Sequence, residues 1–244
     1  GPAAPATPGS TATTTPARKA AAPARSATTA KAAAAPAGPA AGAPEARLQP
    51  DAGAYPLAIS GTSTVDGARA SVPSSGSLLV EQRSPTDQAQ SATGLPGNLV
   101  LLQRATPSGL DLVAFSLSAS SKTLTFAPPS PLPFVKTDVP VGTSWSWTAR
   151  STDGSVTVSQ VATVQSIGPV LVGGLSVPAV RVERVLTATG TVQGTLRLTS
   201  TVSLVDRLPL IQHQVLDVKA TFLGLFSTRI VGDVTATLTS TRPR

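Results

Sequence analysis

The sequence predicts an all-β fold, an antiparallel meander of about ten to twelve strands forming a half-barrel or barrel, preceded by a disordered tail. Three observations carry that expectation. From Thr191 to Leu238 apolar and polar residues alternate almost without a break, turn-forming pairs recur between such stretches, and no helical periodicity intervenes after residue 48. Side chains on a strand point to opposite faces with a period of two, so the alternation describes long strands with one dry and one wet face.

The first 48 residues contain 20 Ala, 8 Pro and 7 Thr, and their only large apolar side chain is Leu48. A segment with so little apolar area to bury cannot offset an ordering cost of roughly 1–2 kcal/mol per residue, so residues 1–48 read as a disordered Ala/Pro/Thr-rich basic tail or spacer. Prolines at 16, 23, 36, 39 and 44 keep each alanine run too short for an isolated helix. Residues 49–244 read as one antiparallel β domain.

Within that domain the expected strands are 54–65, 67–73, 76–83, 98–104, 109–118, 122–127, 144–151, 155–167, 175–187, 190–205, 211–222 and 226–240. Turns are expected at Asp66-Gly67, Ser75-Gly76, Ser108-Gly109, Asp153-Gly154, Gly173-Gly174 and Thr189-Gly190. Two breaks separate the groups, a polar stretch from Ser84 to Gly97 and a proline-rich one from Pro128 to Pro140. The alternation is clearest in the last third. Val192, Leu196, Leu198, Val202 and Leu204 share one parity, against Gln193, Thr195, Arg197, Thr199 and Thr201; Leu216, Val218, Ala220 and Phe222 then oppose Asp217, Lys219 and Thr221. Gly190 and Gly194 are expected to mark a bulge or bend that lets a long strand curve.

A curved sheet with one apolar face must cover it, by closure into a barrel, by a second sheet, or with a ligand or partner. About eight strands give an interior that side chains can fill, and diameter grows with strand number, so more strands should leave space. The inward residues are mostly Val, Leu, Ala, Thr and Gly, and the chain has only 5 Phe, so that space should stay open.

Pro131-Leu132-Pro133-Phe134 and Val141-Gly142-Thr143-Ser144-Trp145-Ser146-Trp147, followed by long paired strands, resemble uncharacterised secreted proteins and lipoproteins of actinobacteria. Their architecture is similar to the open half-barrels of the LolA/LppX type, and the resemblance covers roughly the last 120 residues. It implies an envelope carrier of lipid. Those half-barrels hold helices in the concavity, and this sequence has no helical pattern there.

The formal charge of +7 divides between the two regions: Arg18, Lys19, Arg25, Lys31 and Arg47 against Glu45 put +4 in the tail, leaving +3 for the domain. A dilute basic tail suits either a solvated spacer or contact with an anionic envelope surface. There is no cysteine, which excludes disulfides, thiolate metal sites and cysteine nucleophiles. No apolar run is long enough for a transmembrane helix. The absence of Met and the Gly1-Pro2 start fit a processed or trimmed chain, from which an export signal or a lipidated Cys could already be gone.

Candidate ligand-contacting residues are Trp145, Trp147, Arg184, Leu196, Leu198 and Phe222. Trp145 and Trp147 project from one face of a strand, either as a ligand platform or as a packed anchor. Arg184 interrupts the dry side that carries Val180, Val182 and Leu186; it either holds a ligand headgroup or snorkels to water at the sheet edge. His213 is the only histidine and falls on the wet parity, where a solvated role is expected. No residue is expected to be catalytic or to bind metal. No phosphate loop, dinucleotide fingerprint or paired-carboxylate motif is present, and no cofactor or nucleic-acid partner is implied. The resulting expectation is a non-enzymatic, secreted or extracytoplasmic cell-envelope protein that binds or carries a lipid or other apolar ligand. The alternative is a structural or adhesive cell-wall module without a cavity.

Overall fold

The computed structural model describes residues 48–95, 98–119, 122–222 and 226–244, apart from the side chains of residues 119, 122, 222 and 226. The expected tail therefore lies outside the described residues except for Leu48. Among the described residues there are fourteen strands and no helix.

β1 (Gly53–Val65) turns at Asp66-Gly67 into the short β2 (Ala68–Ala70), and both turn residues take positive φ, 51° and 82°. Asp and Gly tolerate that left-handed backbone, as a tight hairpin requires. There follow β3 (Ser75–Gln82), β4 (Asp87–Ala92), β5 (Asn98–Thr106), β6 (Gly109–Ala119), β7 (Lys122–Phe126) and β8 (Leu132–Lys136). The second group is β9 (Ser144–Arg150), β10 (Val156–Val172), β11 (Leu175–Gly190), β12 (Val192–Ser203), β13 (Pro209–Phe222) and β14 (Phe226–Leu238).

The sheet runs β7-β6-β5-β4-β3-β1-β14-β13-β12-β11-β10-β9, antiparallel throughout. Two meanders thus join where β1 meets β14, with Leu57 opposite Leu238 and Val65 opposite Ile230. β7 and β8 lie one after the other along the same side of β6 and form its edge in two pieces. That edge curls round to β9. Phe126 bridges to Ser151, the Thr152 amide donates to the Thr125 carbonyl at 2.8 Å, and the Trp145 indole donates to the Pro133 carbonyl at 2.8 Å. The result is a nearly closed barrel, in which one sheet covers its own apolar face.

Several expected boundaries shift. β4 and β8 fall inside the two stretches taken as breaks. Ser75-Gly76 belongs to β3, so the reversal before it uses residues 71–74. The β-ladder shows no irregularity at Gly194; register shifts occur instead at Val164/Ser166 and Thr201/Val202. Gly194 has another reason to be glycine. Its φ is +141°, and a Cβ there would stand 2.1 Å from the Asp217 carbonyl oxygen on β13.

The core has two parts. One fills an end of the barrel with Tyr55, Leu57, Val80, Leu208, Leu210 and Leu238 among others. The β10–β11 hairpin helps close that end: it runs past its neighbours, which pair only with 157–163 on one side and 179–188 on the other. Its tip reaches β14, with Val172 buried in this cluster and a Cβ at Gly173 coming within 2.8 Å of the Thr239 carbonyl oxygen. Arg207, at φ 60°, donates to the Leu204 carbonyl at 2.6 Å and the Pro107 carbonyl at 3.2 Å, tying two loops across the same end. The other part of the core packs the seam between β7 and β9. There Phe115 and Phe126 stack at 4.3 Å, and Trp147 tilts against Phe115 at 6.3 Å.

Candidate functional site

Between these two clusters the barrel is hollow. Two compartments of about 160 and 130 Å³ share the walls formed by Leu99, Leu101, Leu117, Leu124, Phe134, Val192, Leu196, Leu198 and Val218, so they are parts of one lumen. Together they approach the lower end of ordinary ligand pockets, about 300–1,000 Å³. The larger compartment extends toward the barrel end opposite the plug, where Val192, Ala220 and Thr228 line it.

The strand register explains the lining. Leu186, Leu196 and Leu216 stand opposite one another across β11, β12 and β13, and one step along the barrel Arg184, Leu198 and Gln214 do the same. Inward side chains of this kind would be fully covered in a filled barrel. Here Leu99, Leu101, Leu186, Leu196, Leu216 and Val218 are only half-buried although they face the interior. Polar groups enter the first compartment at Gln90, Ser91, Gln212, Gln214 and Thr228.

The expected site residues divide. Leu196 and Leu198 line both compartments, and Trp147 lines the second. Trp145 is buried at the seam, where Lys136 stands 5.6 Å from its ring centre. The side chain of Phe222 lies outside the described residues. Arg184 is 1% exposed, so its charge does not reach water. Its guanidinium sits 4.1 Å from the centre of the Phe134 ring, and Nη1 donates to the Phe134 carbonyl at 3.5 Å. Burial alone pushes its pKa down to about 9, because desolvation disfavours the charged form.

Phe134, Leu216, Gln160 and Gln214 were not foreseen. Gln160 left a signal: it interrupts the inward parity of Val158 and Ala162 as Arg184 interrupts its own strand. Both polar ends of its amide are buried without a partner, as are Trp147 Nε1, Arg184 Nε and Ser200 Oγ. Groups of that type normally find one, since an unmet buried donor or acceptor costs about 1–3 kcal/mol.

The outer faces of the long strands carry ion pairs among scattered exposed valines such as Val161, Val215 and Val231. Arg229 pairs with Asp217 at 2.6 Å, Arg197 with Glu183, and His213 Nε2 lies 2.8 Å from Asp233 Oδ1, all on exposed parities. The His213–Asp233 pair stands on this convex face, away from the lumen. Among the described residues no group of three or more His, Asp or Glu is placed to hold a metal ion. Among the described residues no helix is long and apolar enough to cross a membrane.

Fold and lumen together define a nearly closed antiparallel β-barrel with an apolar interior. No protein-family description matches the sequence, and no curated protein matches it. Among solved structures, the crystal structure of the hypothetical lipoprotein YmcC from Escherichia coli aligns with 78% of this chain and 86% of its own, at 11% identity and a TM-score of 0.35. A likeness that distant carries no statement about this chain.

Proposed function

We propose that this protein is a non-enzymatic component of the cell envelope that holds a lipid or other apolar molecule in its barrel lumen. The observation that carries the reading is a continuous interior lined by half-buried leucines, which a barrel of this girth leaves unfilled. Apolar surface left in contact with water gives up roughly 25 cal/mol per Å², and a hydrocarbon guest recovers it. The envelope placement rests on the cysteine-free domain, the Ala/Pro/Thr-rich spacer before it and the resemblance of the Trp145/Trp147 region to exported actinobacterial proteins.

The test is native mass spectrometry of the full chain purified from its own envelope. A bound mass that extracts into organic solvent is expected, together with saturable uptake of diphenylhexatriene by the stripped protein. A ligand-free mass and no uptake of the dye would remove the reading.

A further inference from the structure

Among the described residues Arg184 is a buried positive charge behind the lumen wall, lining neither compartment, and no acidic side chain pairs with it. Arg184 lies at 1% exposure, has no acceptor at Nε, and makes its one hydrogen bond at the 3.5 Å limit. A desolvated guanidinium with so little compensation is costly, and buried arginines ordinarily face a carboxylate or phosphate.

Its neighbours are also short of partners, Trp147 at Nε1 and Gln160 at both Nε2 and Oε1. Gln160 stands opposite Trp147 across β10 and β9, and one step diagonally from Arg184 across β10 and β11. Residues so placed have Cβ atoms about 5 and 7–8 Å apart, within reach of one small group. Trp147 Nε1, Gln160 Nε2 and Arg184 Nε are all buried N–H groups with nothing to donate to. Their common need is an oxygen-rich anion.

The location fits the lumen. The Phe134 ring covers the guanidinium at 4.1 Å and lines both compartments, and Trp147 lines the second. One aromatic ring therefore separates the charge from the apolar space, and turning it aside connects them.

We infer that Arg184, with Gln160 and Trp147, receives the single anionic group of an amphiphile, a carboxylate or a phosphodiester, whose hydrocarbon chain lies among Leu196, Leu198 and Leu216. The inference rests on the lumen reading above and adds the chemistry of the head group. One cation matches one negative charge; a dianion would leave an uncompensated charge in the same dry site.

The experiment uses the full chain stripped of bound lipid and compares parinaric acid with its methyl ester, two fluorescent probes differing only in the head group. The acid should bind at least about ten-fold more tightly, the expected worth of a charge-assisted hydrogen-bonded contact. Arg184→Met should bring the acid down to the affinity of the ester and leave the ester unchanged. Competition then separates the sources: stronger displacement by lysophosphatidylglycerol assigns the site to a lipid phosphodiester, and stronger displacement by palmitate to a free carboxylate. Equal binding of acid and ester by the unmutated protein would overturn the head-group site while leaving the lumen reading intact, and needs no variant to fold. An acid preference that survives in Arg184→Met would also overturn it. Failure of both probes to bind would remove the lumen reading and this inference together.

Discussion

The two ends of this barrel belong to one continuous antiparallel sheet, yet one is filled and the other is not. At the filled end the strands alone do not supply the plug. Val172 arrives on a hairpin that overhangs both of its neighbours, and Leu208 comes from the loop before β13. At the other end the inward positions are Val192, Ala220 and Thr228, which line the lumen. A sheet this wide curls to a diameter its own side chains cannot fill, so extra segments decide where it is solid.

The largest test of that contrast is a matched pair of leucine truncations. Leu210 is 1% exposed within the plug, and Leu210→Ala should cost about 2–5 kcal/mol in urea denaturation, the usual loss for an enclosed leucine. Leu196→Ala, on the lumen wall, deletes a side chain that is already short of contacts and should cost about 1 kcal/mol. Equal losses would mean that the lumen is packed as tightly as the plug.

A second contrast comes from alkaline titration. Burial, then the charges of Asp51 and Asp206, push the Tyr55 phenol up to about 12. An unfolded tyrosine titrates near 10, so between about pH 10 and 12 the unfolded state loses a proton that the folded state keeps. The contribution of neutral Tyr55 is therefore complete below about pH 10 and is lost as pH rises toward 12. Arg184 acts with the opposite sign from about pH 9 upward, because its folded form releases a proton more readily than its unfolded form. Comparing the parent with Tyr55→Phe cancels the arginine. The variant should lose about 1 kcal/mol at neutral pH, for the bond donated to the Asp51 carbonyl, and should show a flatter alkaline decline. Parallel declines would place Tyr55 outside the plug's energetics.

Much of this architecture can be read from the residues, and the exceptions have physical causes. β12, β13 and β14 follow from strict alternation, and the same parity places Leu196 and Leu198 inward and His213 outward. β4 escapes because Gln88 and Gln90 occupy buried positions, which erases the apolar half of the pattern. β8 escapes because it lies within the proline-rich stretch from Pro128 to Pro140; it pairs only with β6, and Pro133 sits beside a register shift, where a missing amide is tolerated. The overhang of β10 carries apolar residues on both faces, so period two fades after Ile167. Arg184 was visible as an intrusion on a dry face, but only the fold decides that it is enclosed. Phe134 carried no local sign of a role, since β8 meets Arg184 only when the sheet closes.

The smallest expected effect concerns the N-terminal region and bears directly on the unfilled end. If the tail were the missing plug, removing it would loosen the domain and free the lumen. Residues 1–48 offer Ala, Pro and Thr and one large apolar side chain, Leu48, which is 37% exposed. Such a segment has little to bury, so the protein beginning at Gln49 should melt within about 1 °C of the full chain, well under 0.5 kcal/mol for a domain of this size. Its affinity for diphenylhexatriene should also be unchanged. A fall of several degrees accompanied by tighter dye binding would show that the tail occupies the lumen; the contrast between the ends would then be between two kinds of plug, and the case for a lipid guest would go with it.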